Sequence, residues 1–249
     1  MGVIIMGRVL AVSDLHGCYT LWEQIKNFLQ PDDILYVLGD CGDRGPKGFE
    51  IIQEVYADER CKYIRGNHEE LLADAMKGDR SLHNYNGGKK TFEAWKYKYG
   101  GDLSWKRKLS ELPIIETYEN KQGQKVMLTH AGFTQFAEGK LPNQYALVWD
   151  RDHISNSWQM YADKSVIIVH GHTPIPILEE YLWDAPSEAD VEPGVYWYCE
   201  DEDGQPHKVD IDCGAFFTGH ATVLDLDTWE EHKFFTEDSY YLDTEKYAW

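Results

Sequence analysis

Ile34-Leu35-Tyr36-Val37-Leu38-Gly39-Asp40-Cys41-Gly42-Asp43-Arg44-Gly45 is the stretch on which the fold turns. A five-residue apolar run, long enough for a buried strand and too short for a helix, stops at a glycine. It then delivers two aspartates and an arginine into a turn. The pattern recurs on either side. Upstream, Arg8-Val9-Leu10-Ala11-Val12 ends in Ser13-Asp14-Leu15-His16-Gly17, and a helix follows with Leu21, Ile25, Phe28 and Leu29 on one face until Pro31-Asp32-Asp33 breaks it. Downstream, a helix over Ile51–Tyr56 leads to a short strand at Lys62–Arg65 that ends in Gly66-Asn67-His68-Glu69. The order β-α-β-α-β predicts an α/β fold with parallel strands.

Further along, residues 69–112 read as helical, with breaks at Gly87-Gly88 and Gly100-Gly101. Short strands are expected at Ile114–Tyr118 and Lys125–Thr129 around an Asn120–Gly123 turn, at Val166–Val169 before His170-Gly171-His172, and at Lys208–Ile211 and Ala221–Leu226. Glu179–Asp203 is acidic and aromatic, with Trp183, Tyr196, Trp197 and Tyr198, and reads as a surface hairpin or lid. No stretch reads as a linker, so 1–249 is expected to be a single domain with a helical insertion at about 69–112 and a lid-like one at about 175–208.

Composition bounds the function. At 43% hydrophobic and 27% charged the chain is an ordinary globular one. The five cysteines, Cys18, Cys41, Cys61, Cys199 and Cys213, include no Cys-x-x-Cys spacing, which points to free thiols in a reducing compartment. With no signal peptide and no bilayer-length apolar run, a cytoplasmic protein without a membrane partner is expected, and Met1 and Met6 are both possible starts. The net charge of −19 argues against a nucleic-acid partner. Phosphate chemistry on such a surface needs strong local positive charge, which metal ions supply.

Five strand ends carry metal-competent or polar side chains: Asp14/His16, Asp40/Asp43, Asn67/His68, His130 and His172. Ligands of α/β sheets bind outside the carboxyl ends of the strands, so these segments are expected to meet at one edge. Taken singly, each has an ordinary explanation. Asp14 or Asn67 can cap a helix, Asp43 and Arg44 can be a turn with an ion pair, and a lone His after a strand is more often structural. Together and in this order they make a site. His83, His153, His207, His220 and His232 have no motif around them and read as surface or structural; His170 shares a strand face with His172.

The set Ser13–Gly17, Gly39–Gly45, Arg65–Glu69, Thr129–Gly132 and His170–Pro174 resembles the phosphoprotein phosphatases within the calcineurin-like metallophosphoesterases, above all their bacteriophage lambda and bacterial Ser/Thr phosphatase branch. The likeness extends to Asn86-Gly87-Gly88, to Val148–Ser155 and to Ile211–Ala215, and runs from about residue 8 to 226. It implies a sandwich of two mixed β-sheets flanked by helices. It also implies one metal on Asp14, His16 and Asp40, and a second on Asp40, Asn67, His130 and His172. His172 rather than His170 matches the family pattern. In line with that resemblance, a two-metal-activated hydroxide attacks phosphorus, Arg44 and Arg151 bind the phosphoryl oxygens, His68 protonates the leaving oxygen and Asp43 orients His68. Oxygen and imidazole ligands favour Mn²⁺, with Fe or Zn²⁺ next.

The implied activity is a metal-dependent phosphomonoesterase, a Ser/Thr protein phosphatase acting on a phosphoprotein or phosphopeptide. The rival is a symmetrical dinucleoside tetraphosphatase, which shares much of the motif set. A non-catalytic phosphate-binding module is the third reading, and it predicts a missing ligand or acid where every position here is filled. Ser13 stands where the family usually has Gly, Cys41-Gly42 replaces a more apolar pair, and Ile175–Lys208 is longer than in the phage enzyme. The oligomeric state is not legible in the sequence.

Overall fold

Along β1 (Val9–Val12) the side chains alternate between two cores. Val9 and Ala11 join one apolar cluster with Leu38, Ile64, Val126, Leu128, Val169, Val209 and Leu224. Leu10 and Val12 join the other with Trp22, Ile25, Phe49, Ile52 and Val55. A strand covered on both faces has no polar side to show, which is why these strands read as continuous apolar runs. The computed structural model describes residues 7–133, 143–156, 165–182 and 194–237.

The first cluster lies between two sheets, and the second lies under helices α1 (Tyr19–Phe28) and α2 (Gly48–Ala57). Sheet one has the order β10 (Glu231–Phe235), β9 (His220–Asp225), β1, β2 (Ile34–Val37), β3 (Cys61–Tyr63). Its β1–β2–β3 half is parallel, in the register Val12↔Val37↔Tyr63, while β9 and β10 run antiparallel. Sheet two has the order β4 (Ile115–Glu119), β5 (Lys125–Thr129), β6 (Val166–His170), β8 (Pro206–Asp210), β7 (Tyr196–Glu200), with β5, β6 and β8 parallel. The fold is therefore the expected sandwich of two mixed sheets with flanking helices.

Between β3 and β4 lie α3 (Asn67–Ala75), α4 (Ser81–Tyr85), α5 (Lys89–Glu93), which runs into a π-helical turn at Ala94–Lys98, and α6 (Ser104–Ser110). On the outer face of sheet two, Leu147 and Val148 of α7 (Gln144–Trp149) pack with Met127, Val166 and Ile168. A short α8 (Ala215–Thr218) joins the sheets ahead of β9.

Two elements differ from the sequence reading. The aromatic run Tyr196–Glu200, read as part of a surface hairpin or lid, is β7, and with β8 it forms a hairpin, which completes sheet two rather than standing apart as an insertion. Residues 183–193 of the expected lid, Trp183 among them, lie outside the described residues, as do Met1 and Met6. β10 went unread because only one edge pairs, so its side chains alternate between half-buried and exposed rather than forming an apolar run.

Candidate metal centre and phosphate cleft

The ends of β1, β2, β3, β5 and β6 all open on one edge of the sandwich. Asp14 (φ 53°), His16 (φ 41°), Asp40 (φ 51°), Asp43 (φ 69°), Arg44 (φ 58°) and His172 (φ 71°) are left-handed there. Only Cys199 and Trp229 share that conformation among the other described non-glycine residues, so the strain is concentrated in these turns. Each such turn throws its side chain sideways off the strand end. Glycines make room for them. A Cβ on Gly66 would collide with the Asp40 carboxylate, and one on Gly171 with Ser13 and Asp14.

Asp40 Oδ2 is the hub. It lies 3.7 Å from His16 Nε2, 3.8 Å from His68 Nε2 and 3.4 Å from His130 Nε2. Asp14 Oδ1 is 3.8 Å from His16 Nε2. Backbone carbonyls fix the imidazole tautomers. His16 Nδ1–H donates to Gly42 O at 2.9 Å, His130 Nδ1–H to Leu38 O at 2.7 Å and His172 Nε2–H to Trp149 O at 3.2 Å. Each bond turns the other ring nitrogen inward. Asn67 Oδ1 meets two of them, 2.8 Å from His130 Nε2 and 3.0 Å from His172 Nδ1. A convergent set of carboxylate, amide-oxygen and imidazole donors of this kind fits divalent metals. Two groups of this kind are within ligand spacing, His16–Asp40–His68 and Asp40–His130–His172, and they share Asp40.

The electrostatics agree. Burial depresses the His16 and His172 imidazoles well below their ordinary value, reinforced for His16 by the Arg44 charge and for His172 by His130, so both are neutral donors. Burial would depress His130 as well, but the Asp40 and Asp14 carboxylates outweigh it and push it up to about 10. A cluster that binds a proton this firmly is starved of positive charge.

Beside the hub, His68 Nδ1–H donates to Asp43 Oδ2 at 2.7 Å, and His83 Nε2–H donates to Asp43 Oδ1 at 2.9 Å. Burial raises the Asp43 carboxyl, but His83 and His68 outweigh it and hold it well below the usual carboxylate range. Thr91 Oγ1 accepts from Asp43 N at 2.8 Å, and Gly87 O accepts from Arg44 N at 3.0 Å. Gly88 leaves no side chain where the His83 ring sits. Fully buried Glu69 pins the neighbouring turn: its carboxylate accepts from Asp40 N (2.8 Å), Gly66 N (2.9 Å), Cys41 N (3.1 Å) and the Tyr63 hydroxyl (2.7 Å).

The family described as calcineurin-like phosphoesterase matches residues 7–223. The chain belongs to that family. Similar proteins include the asymmetrical bis(5′-nucleosyl)-tetraphosphatase PrpE of Bacillus subtilis (strain 168), 28% identical over 66% of this chain and 78% of the relative. Another is Serine/threonine-protein phosphatase 2 of Escherichia coli (strain K12), 25% identical over 60% and 71%. Among solved structures, a protein serine/threonine phosphatase from Saccharomyces cerevisiae shares the fold with a TM-score of 0.56 at 14% identity, over 94% of this chain and 82% of the other. The family's typical arrangement is a binuclear divalent centre, and the donor groups here are of that kind.

This calcineurin-like phosphoesterase opens its centre into a cleft of about 390 Å³ whose lining includes Asp40, Arg44, Asn67, His68, Trp149, Arg151 and His172. Arg151 reaches His172 O with Nη2 at 3.1 Å. All ten site residues named from sequence thus lie at this edge. His170 does not join them; its Nε2 is 2.7 Å from the Tyr198 hydroxyl. Ser13 fits the glycine position by turning its hydroxyl onto Asp14 Oδ2. For two histidines read as surface or structural, the structure selects the structural alternative. His83 is buried against Asp43, and His153 is buried behind the cleft, so neither is a surface residue. The signal for His83 was its place three residues before Asn86-Gly87-Gly88; nothing adjacent marked Glu69 beyond its motif. Among the described residues no helix is long and apolar enough to cross a membrane.

Proposed function

We propose that the chain is a metal-dependent phosphomonoesterase of the Ser/Thr protein phosphatase type. The observation that carries this reading is the buried His68–Asp43–His83 chain, which ends on the cleft at His68. Hydrolysis of a serine or threonine phosphate expels a poor alkoxide, which needs a proton in the transition state. His68, held at Nδ1 by Asp43, presents Nε2 to the cleft as that donor, and His83 keeps Asp43 ionised and oriented. An anhydride, whose leaving group is already stable, has less use for such a device.

Asp14, His16 and Asp40 would hold one ion, and Asp40, Asn67, His130 and His172 the other. Divalent ions there would supply Lewis-acid polarisation and acidify a water. With oxygen and imidazole donors and no thiolate, Mn²⁺ is the first candidate, ahead of Fe and Zn²⁺. Arg44 and Arg151 line the cleft as cations for the phosphoryl oxygens, offsetting a chain of net charge −19. That acidic surface, with Glu180 on the cleft wall, suits a phosphopeptide carrying basic flanks.

The dinucleoside tetraphosphatase reading keeps a specific support, the names of relatives such as PrpE from Bacillus subtilis and from Anoxybacillus flavithermus, the latter 23% identical over 86% of this chain. The deciding experiment strips the metal, restores Mn²⁺ and compares p-nitrophenyl phosphate, a phosphoserine peptide and diadenosine tetraphosphate. Fast turnover of the two monoesters with little attack on the dinucleotide is expected. The reverse preference would overturn the protein phosphatase reading, and no turnover of any would favour a binding module.

A further inference from the structure

Behind the cleft lies a buried group of titratable side chains that the chemistry above does not use. His153 follows Arg151 by two residues and is 1% exposed. Its ring is wedged between two of the donor-bearing loops. On one side is Gly132, where a Cβ would come within 2.6 Å of His153 Cε1; on the other is His170, edge-on at 5.1 Å. Gly132 follows His130 by two residues, and His170 precedes His172 by two. The His153 side chain therefore registers the Arg151 turn against both loops.

The backbone of that turn is held from below. Ile154 N donates to Arg151 O at 3.0 Å, and Asn156 N donates to His153 O at 3.3 Å. The same His153 carbonyl accepts from Lys208 Nζ. Lys208 is fully buried on β8, in register with Ile168 of β6, and its ammonium lies 5.3 Å over the Tyr198 ring. Burial brings it down to about 7, with the Asp150 charge opposing. A lysine in such a place costs stability that a methionine of similar length would not. Its hydrogen bond has to do something a methionine cannot.

We propose that Lys208 is a positioning residue for the phosphate-binding arginine, fixing the Arg151 turn through the His153 carbonyl. The inference rests on the reading of Arg151 as a phosphoryl ligand. On this view the β7–β8 hairpin supports the cleft through its buried face. Lys208 touches no substrate. Losing it lets the turn drift, and a drift of about 1 Å is enough to weaken a positioned contact by roughly tenfold or more.

The test is a double-mutant cycle on the full-length, Mn²⁺-loaded protein. It uses p-nitrophenyl phosphate as substrate and inorganic phosphate as competitive inhibitor, with metal content measured for every variant. Arg151→Ala is expected to weaken both KM and phosphate inhibition. Lys208→Met is expected to raise both constants about tenfold, with metal content unchanged and a smaller effect on kcat. In the double variant Lys208→Met should add almost nothing, because its effect passes through Arg151. Lys208→Arg, which keeps a displaced donor, goes through the same cycle in case the methionine variant does not fold, and a smaller shift in the same direction is expected. Full additivity, or unchanged phosphate binding in the Lys208 variants while Arg151→Ala weakens it, overturns the proposal. Unchanged phosphate binding in Arg151→Ala overturns the reading of Arg151 itself, and the proposal with it.

Discussion

The two sheets contribute to the site by different means. Sheet one builds its half from consecutive strand ends, β1, β2 and β3, and fixes it with local hydrogen bonds. Glu69 alone gathers three backbone amides around Asp40, and Asp43 is held by Thr91, His68 and His83. The other half draws His130, Arg151 and His172 from separate segments beside sheet two and joins them through backbone carbonyls, Gly171 N to His130 O at 2.8 Å and Arg151 Nη2 to His172 O at 3.1 Å, with the His153 ring between and Lys208 beneath. One half is a tightly wired turn cluster; the other is an assembly of distant pieces. Damage to the first half, which carries the shared Asp40 and the His68–Asp43 pair, should therefore strike both donor groups and the chemistry, and damage to the second should strike one donor group and phosphate binding.

The largest expected effect sharpens that contrast. Asp40→Asn removes the carboxylate shared by both donor groups. It should lower bound Mn²⁺ from about two ions per chain to less than one, with activity down by about a thousandfold or more while the fold persists. His172→Asn takes a ligand from one group only and should leave about one ion per chain. Equal losses in metal analysis of the two variants would erase the distinction between shared and private ligands. Next comes His68→Asn. Turnover of a phosphoserine peptide should fall by about 10²–10⁴-fold, and that of p-nitrophenyl phosphate, whose leaving group needs no proton, by much less. Equal slowing of both substrates would count against the proton donor.

Smaller effects follow from the supporting side chains. His83→Gln should slow the peptide reaction by roughly tenfold with little change in KM, since His83 acts only through Asp43. A KM effect without a kcat effect would move His83 out of the proton path. Glu69→Gln replaces a four-bond acceptor by a neutral amide with one oxygen. Denaturant unfolding should show a loss of about 2–3 kcal/mol, seen more in stability than in leaving-group preference.

The same division governs what could be read in the sequence. The parallel half of sheet one and its candidate donors were legible because each strand and its turn are contiguous: Val12 and Asp14, Leu38 and Asp40, Tyr63 and Asn67 stand within a few residues of one another. Even Ser13, a departure from the family, could be judged tolerable from its neighbours. His83 was not legible, because its meaning lies 40 residues away in Asp43. Lys208 was unreadable for the same reason; within a strand it looks like a solvated charge until its neighbours β6 and β7 cover both flanks. Tyr196–Glu200 could be read as a hairpin or a lid but not as a strand of sheet two, because aromatic side chains among carboxylates suit a surface loop as well as an outer strand.

The bond from His172 N to Asp14 Oδ2, 3.0 Å long, joins residues separated by 158 positions. A ribosome makes the Asp14 turn early and His172 late, so for most of synthesis the first ligands stand without their partners. On the proposed ligand assignment, filling both positions would be a closing event in the life of the chain, because a product that ends before His172 would lack a donor of the second group.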